Sequence, residues 1–168
     1  RQMCIRDRFV ADSKNHYLIF KKVIKILNNI QLIKNKKIKN FKNEFYKIKY
    51  YKKNILLDET KLFNDWYASK KLTKKRLNIF KYEFNKELKF LLSKLNYEND
   101  TFVHRDFHVS NLIINPNSQI GLIDNQDALI GNKAYDLASL IDDVRYKTSS
   151  SLKEKVYNYY LKTNKKIK

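Results

Sequence analysis

The stretch 103–127, VHRDFHVSNLIINPNSQIGLIDNQD, decides how the rest of the chain is read. It holds His104-Arg105-Asp106, then Asn111 five residues after the aspartate, and Asp124 beyond a run of β-type residues. Thr101-Phe102-Val103 predicts a short strand ahead of the loop, and Leu112–Asn115 and Ile120–Asp124 predict two behind it. Pro116-Asn117-Ser118 carries strong turn chemistry, so these two form a hairpin. Side chains capable of chemistry thus sit on a loop pinned by strands at both ends, and Asp124 can return beside them.

That arrangement suits phosphoryl transfer, which asks a protein for a carboxylate that orients the attacking hydroxyl, oxygen ligands for Mg²⁺, and a rigid frame. Asp106 can be the base. Asn111, through its amide oxygen, and Asp124 can hold the magnesium, a hard cation that takes one or two protein oxygens plus phosphates and water. The base needs placement more than a raised pKa.

Composition narrows the alternatives. A chain of 168 residues that is 43% hydrophobic can bury a core and is read as one domain, not a disordered segment. It has no apolar run of the ~18 residues a membrane span needs and no secretory leader pattern. The single cysteine, Cys4, allows no disulfide framework and suits a reducing, cytoplasmic setting. The net charge of +19 invites a nucleic-acid partner. Two observations weigh against one. Most of the basic residues are Lys, in a chain that also over-uses Asn, Ile, Tyr and Phe, the residues of AT-rich codons. From Thr101 to Arg145 there are six acids against three bases, while the remainder carries a net +22. The stretch with the chemistry is acidic, as a cation site requires, and the basic part reads as solvated surface. No nucleic acid and no membrane are expected as partners.

Taken in order, residues 1–8, RQMCIRDR, resemble one reading frame of a transposase adapter used in sequencing libraries. They are expected to be an artefact, which leaves 9–168 as the natural segment, lacking its N-terminal part. Tyr17, Phe20, Ile24, Leu27 and Ile30 recur at steps of three and four and predict a core-packing helix over 14–33. Residues 34–53 read as a basic surface loop or short helix with aromatic punctuation. A second helix, 54–68, would pair Leu62 with Trp66 and Phe63 with Tyr67. Trp66 reads either as a core residue or as a stacking face for a sugar. A third helix, 73–95, runs through Leu77, Phe80, Phe84, Leu88, Leu91 and Leu95, with Thr73 as N-cap. Gly131 marks a turn. Ala134–Tyr146 predicts a helix with Leu137, Leu140, Ile141 and Val144 inward. Ser151 and Glu154 form a capping box for a last helix, which runs to the C-terminus without a stop signal.

The motifs HRDFHVSN at 104–111, IDNQDALIG at 123–131 and YDLASLIDD at 135–143 resemble those of the aminoglycoside phosphotransferase family, relatives of protein kinases and choline kinases. They are most similar to its branch of anomeric N-acetylmuramate/N-acetylglucosamine kinases. LLDETKLFNDWY at 56–67 resembles that branch's helix ahead of the catalytic lobe. The resemblance covers about 54–145. It implies an α+β, mostly helical fold, the C-terminal lobe of a protein-kinase-like enzyme with a short β-hairpin beside the catalytic loop. It implies ATP and Mg²⁺ as cofactors, an amino sugar as acceptor, and a place in cell-wall recycling. By matched position, Asp106 becomes the catalytic base, Asn111 and Asp124 the magnesium ligands, and Asp136 a buried acid bracing the loop through its Arg or backbone. Gln126 and Asp127 would lie near the acceptor sugar or the loop that frames it. Arg105 and His104 would support the loop, and His108 would either brace it or touch phosphate or acceptor.

The chain departs from the pattern in two places. Asn125 stands where the family carries Phe, and must find hydrogen bonds or cost about 1–3 kcal/mol if buried without them. No Gly-rich phosphate loop is present, since Gly121 and Gly131 both lie downstream. The nucleotide-gripping lobe is expected upstream, so the segment alone should be inactive. Other readings are an aminoglycoside- or choline-type kinase, a non-catalytic kinase-like binding module, and a basic nucleic-acid-binding protein.

Overall fold

The structure, a computed structural model, describes residues 3–4, 16–40, 42–94, 98–115, 117 and 119–164. They fall into two compact units, one of residues 1–49 with 99–168 and one of residues 50–98. The architecture is α+β and mostly helical, as the motifs imply.

In the first unit, helix α1 (His16–Gln31) buries Ile19, Phe20, Val23, Ile24 and Leu27. This is the face its periodicity predicts, with lysines left to solvent. Its partner is the last helix (Ser150–Thr163), which buries Val156 and Tyr160. Phe107, Val109, Leu112, Leu137 and Leu140 complete the same core. The loop is therefore anchored from below. Phe107 and Val109 point into the core, Leu112 follows, and the polar residues between them are left for the surface. Burying one such aromatic or aliphatic side chain contributes roughly 1.5–3 kcal/mol.

A polar network closes the seam between the two helices. The Tyr160 hydroxyl donates to Gln31 Oε1 at 2.8 Å and lies 3.2 Å from the Lys133 carbonyl, which also accepts from Gln31 Nε2 at 2.8 Å. Asn164 Nδ2 donates to Gln31 Oε1 at 2.7 Å and to Asn28 Oδ1 at 3.0 Å. These buried groups thus satisfy one another. Burial pushes the Tyr160 phenol up to about 12, which keeps it a donor.

The strands are short. Thr101–Val103 pairs antiparallel with Leu129–Gly131, Thr101 opposite Gly131. Leu112–Ile114 pairs with Ile120–Leu122, Ile113 opposite Gly121. The backbone of Met3–Cys4 lies along the other edge of Leu112–Ile114. In chain order these are β1 (Met3–Cys4), β4 (Thr101–Val103), β5 (Leu112–Ile114), β6 (Ile120–Leu122) and β7 (Leu129–Gly131). The rest of the expected adapter segment lies outside the described residues, as do residues 116 and 118 of the expected turn. That turn is closed by Asn115 and Gln119, whose backbones and side chains bond each other at 2.8–3.0 Å.

Several local expectations are corrected. Residues 34–53 contain a hairpin, β2 (Lys37–Lys39) with β3 (Phe45–Lys47), rather than a loop or short helix. Both strands are exposed along their length, so no buried face imposed an alternation to read. Gly131 is a buried strand residue and not a turn. Helix α5 covers Tyr135–Ile141 and stops at Asp142, so Val144, expected inward, is 94% exposed. The last helix, α6 (Ser150–Thr163), is capped by Ser149, whose side chain accepts from the Leu152 N–H, not by a box from Ser151 to Glu154. It ends at Asn164, which turns extended and joins the buried network.

The second unit is helical. Helix α2 (Lys53–Leu62) runs into a π-helical turn, Phe63–Ala68, then into α3 (Ser69–Lys71) and the long α4 (Lys74–Lys94). The Ser69 N–H reaches back to the Asn64 carbonyl, the i→i+5 bond of a widened turn. Phe63 stacks on Tyr67 and Phe84 with centroids 5.2 and 5.6 Å apart. The α4 stripe holds from Leu77 to Leu88 as a half-buried face and then passes to Leu92, while Leu91 is exposed. Trp66 is 68% exposed, so it is not a core residue. The ring faces solvent, with the Lys70 ammonium 5.6 Å from its centroid.

Candidate active site

Strand β4 delivers the chain into a loop that Asp136 holds by its backbone. One Asp136 oxygen accepts from the His104 N–H at 2.8 Å and the other from the Arg105 N–H at 3.0 Å. The carboxyl is fully buried. Burial raises its pKa to about 6, the two N–H donors oppose that rise, and the nearby Asp106 charge adds to it. Asp136 sits in the first turn of α5, so helix and loop are tied at this point.

Arg105 takes a left-handed backbone, φ 75°. Such a conformation is uncommon for a non-glycine residue. It swings the chain so that Asp106 emerges half-buried while Phe107 enters the core. The Asp106 carbonyl then accepts from the His108 N–H and from Asn111 Nδ2, both at 3.0 Å. Since Nδ2 is committed to that carbonyl, Asn111 Oδ1 points the other way and can serve as an oxygen ligand. The Asn111 carbonyl accepts from the Ile123 N–H at 3.1 Å, which brings the residue before Asp124 alongside.

Asp124 is exposed and also left-handed, φ 70°. Gln126 Nε2 donates to its carboxylate. Asp127 follows in the same turn, exposed. Asn125 is exposed too, so the desolvation cost feared for an Asn at this position does not arise. Its carbonyl accepts from the Ala128 N–H at 3.3 Å. Asp106, Asn111 and Asp124 thus come from one loop and the turn tied to it. Two carboxylates and an oriented amide oxygen are a hard-oxygen donor set that fits Mg²⁺.

His104 is 1% exposed, edge-on to Phe107. Burial lowers its pKa, while the Asp106 and Asp124 charges and the nearby Ile123 carbonyl partly offset that. Neither ring nitrogen completes a well-formed hydrogen bond. A neutral imidazole packed beneath the carboxylates fits a supporting role better than proton transfer. His108 Nδ1 is likewise shielded and without a hydrogen-bond partner. Trp66 belongs to the other unit.

Two features were missed in the sequence. Asp143 is a second buried carboxylate on the loop, accepting from the Val109 N–H at 3.2 Å. Only its place in the YDLASLIDD motif hinted at it. The other is the outward face of the β5–β6 hairpin. Ile113, Gly121 and Ile123 share that face and, with Asn115, Gln119 and Ile120, line a shallow cavity of about 270 Å³. A Cβ built on Gly121 would meet only the Ile113 carbonyl, at 4.0 Å, so the fold itself does not require glycine there. A glycine in mid-strand was the available signal.

Comparison with known proteins places these features in context. The chain is 34% identical over 93 residues to an N-acetylmuramate/N-acetylglucosamine kinase of Neisseria meningitidis serogroup B, covering 55% of this chain and 28% of that one. It is 36% identical over 64 residues to a protein of the same name from Caulobacter vibrioides, covering 36% and 18%. The chain thus matches well under half the length of these relatives. The structure superimposes on choline kinase LicA of Streptococcus pneumoniae with a TM-score of 0.60 at 16% identity, covering 95% of this chain and 48% of that one. That likeness shows a kinase-like fold. Residues 18–166 match the phosphotransferase enzyme family.

Proposed function

This chain belongs to the phosphotransferase enzyme family, and from that premise we propose that its protein moves the γ-phosphoryl group of ATP onto the anomeric hydroxyl of an N-acetylated amino sugar. N-acetylmuramate and N-acetylglucosamine, named for two relatives, are the candidate acceptors. The observation that carries the reading is the tie between Asp106 and Asn111. One loop presents a carboxylate and an amide oxygen with their relation fixed by a side chain-to-backbone hydrogen bond.

In this reading Asp106 accepts a hydrogen bond from the acceptor hydroxyl and takes its proton as the phosphoryl group arrives. Placement does most of the work, because the loose transition state releases the proton late. Asn111 Oδ1 and the Asp124 carboxylate would hold Mg²⁺, which neutralises charge on the phosphates when bound. Gln126 keeps the Asp124 carboxylate turned, and His104 stays neutral beneath them. The flat apolar face of Ile113, Gly121 and Ile123, next to Asp124, is suited to the base of the nucleotide. Asp127 is a candidate contact for the sugar through hydrogen bonds to hydroxyls, and the exposed Trp66 ring is, on its own unit, a candidate stacking face. An ATP-dependent enzyme acting on recovered cell-wall sugars belongs in the cytoplasm. Among the described residues no helix is long and apolar enough to cross a membrane.

The test is ADP release by the full-length protein with N-acetylmuramate, N-acetylglucosamine, an aminoglycoside and choline as acceptors. Asp106-dependent turnover with the amino sugars supports the proposal. Turnover with choline or an aminoglycoside alone would replace the acceptor, and failure to bind Mg-ATP would favour a non-catalytic module.

A further inference from the structure

We propose that Asp143 is a second positioning carboxylate, setting the Asn111 end of the loop independently of Asp136, which sets the Asp106 end. This rests on the kinase reading above and assigns a role that reading leaves open. Asp136 and Asp143 flank the single helix α5, the first in its opening turn and the second two residues beyond its last. The helix itself, seven residues and about 10 Å long, is the rigid spacer that sets their separation.

Each carboxylate reaches a different part of the loop. Asp136 accepts from His104 and Arg105, immediately before Asp106. Asp143 accepts from Val109, the first residue of the 3-10 turn Val109–Asn111 that ends on the proposed metal ligand. The side chain of Asp143 is 0% exposed. Its two oxygens divide the work. Oδ2 takes the Val109 N–H, and Oδ1 takes the Arg145 N–H at 2.9 Å and the Arg145 guanidinium at 3.2 Å. A buried carboxylate is tolerated only where such partners surround it. Arg145 holds Asp143 from the solvent side, and Asp143 holds the loop from within. Helix α5 therefore straps the loop at two points, and the residues between the straps, Asp106-Phe107-His108, are fixed by the buried Phe107 ring.

If the straps act separately, loosening one should disturb one function. Asp143→Ala in the full-length protein is expected to raise the Mg²⁺ concentration needed for half-maximal binding about 10-fold, as loss of an outer-shell partner does. The acceptor KM should hardly move. The Val109 amide should lose hydrogen-exchange protection. Asp143→Asn, which keeps an oxygen for Val109 and gives up the ion pair with Arg145, should recover most of the Mg²⁺ affinity and of the protection. If Asp143→Ala does not fold, Asp143→Asn against Arg145→Ala makes the comparison, with Arg145→Ala expected to keep Val109 protected. Wild type that binds Mg²⁺ and an Asp143→Ala protein that binds it equally would overturn this proposal alone, as would unchanged Val109 exchange. Wild type that binds no Mg²⁺ would overturn the kinase reading, and this proposal with it.

Discussion

Asn111 donates its side-chain amide to the backbone carbonyl of Asp106 at 3.0 Å, so the proposed metal ligand and the proposed base are held by one bond. Asn111→Ala removes both the bond and the ligand oxygen. The expected result is a loss of activity of about 100-fold or more with a raised Mg²⁺ requirement. Metal titration of the initial rate checks it. Asn111→Asp retains an oxygen ligand but places an anion against the Asp106 carbonyl, and should recover only part of the rate.

Asp106→Asn tests the base. It should lower kcat by about 10²–10⁴-fold and leave nucleotide binding within a few-fold of wild type. Equal losses in nucleotide affinity and kcat would point to a collapsed loop instead.

The raised pKa of Asp136, about 6, makes a prediction with opposite signs for stability and activity. The folded protein holds this proton up to about pH 6, whereas the unfolded chain gives it up near the ordinary carboxyl value of 3.8. Between those values the native state binds more protons, so this group's contribution to stability rises as pH falls. Activity should fall over the same range, because a protonated carboxyl has only one good acceptor for the His104 and Arg105 N–H groups. The Asp106 charge that faces Asp136 does not reverse the sign, and the Tyr160 phenol stays neutral throughout this range. Asp136→Asn should flatten the acid limb of the rate profile while lowering the rate throughout. Parallel melting curves and rates from pH 4.5 to 7.5 would separate the two effects.

Trp66→Ala should change stability by no more than about 0.5 kcal/mol, since the ring faces solvent. A large drop in melting temperature would restore the core role.

Ser149→Ala should destabilise by about 1 kcal/mol through loss of the cap on α6, and Ser151→Ala should be nearly silent. Thermal denaturation of the pair decides it.

What could be read in advance follows from how locally each feature is determined. Asp106, Asn111 and Asp124 could be singled out because the proposed chemistry demands those side chains at short spacing, and the structure ties their loop and turn together, while α1 was legible because its buried stripe repeats over four turns. The β2–β3 hairpin was not, since strands exposed on both faces carry no alternation. Periodicity placed Leu62, Phe63, Trp66 and Tyr67 on a helix but could not say what that face meets. The π-turn there shifts the register as well. Val144 was misplaced because α5 stops at Asp142, and just beyond that end Asp143 is engaged by Val109, far away in sequence. Ser149 was overlooked beside two other serines that fit a capping rule equally well. The role of Asp143 is a contact between residues 34 apart, which no local pattern encodes.

Two left-handed residues, Arg105 and Asp124, bracket the proposed base and metal site. Each holds on the order of 1–3 kcal/mol of backbone strain that glycine would relieve. Selection for heat tolerance alone would thus pull both positions toward glycine. At Asp124 that change would also remove the proposed metal-binding carboxylate, so a library screened only for melting temperature would enrich a substitution that costs the proposed activity, whereas glycine at Arg105 would keep the N–H that Asp136 holds.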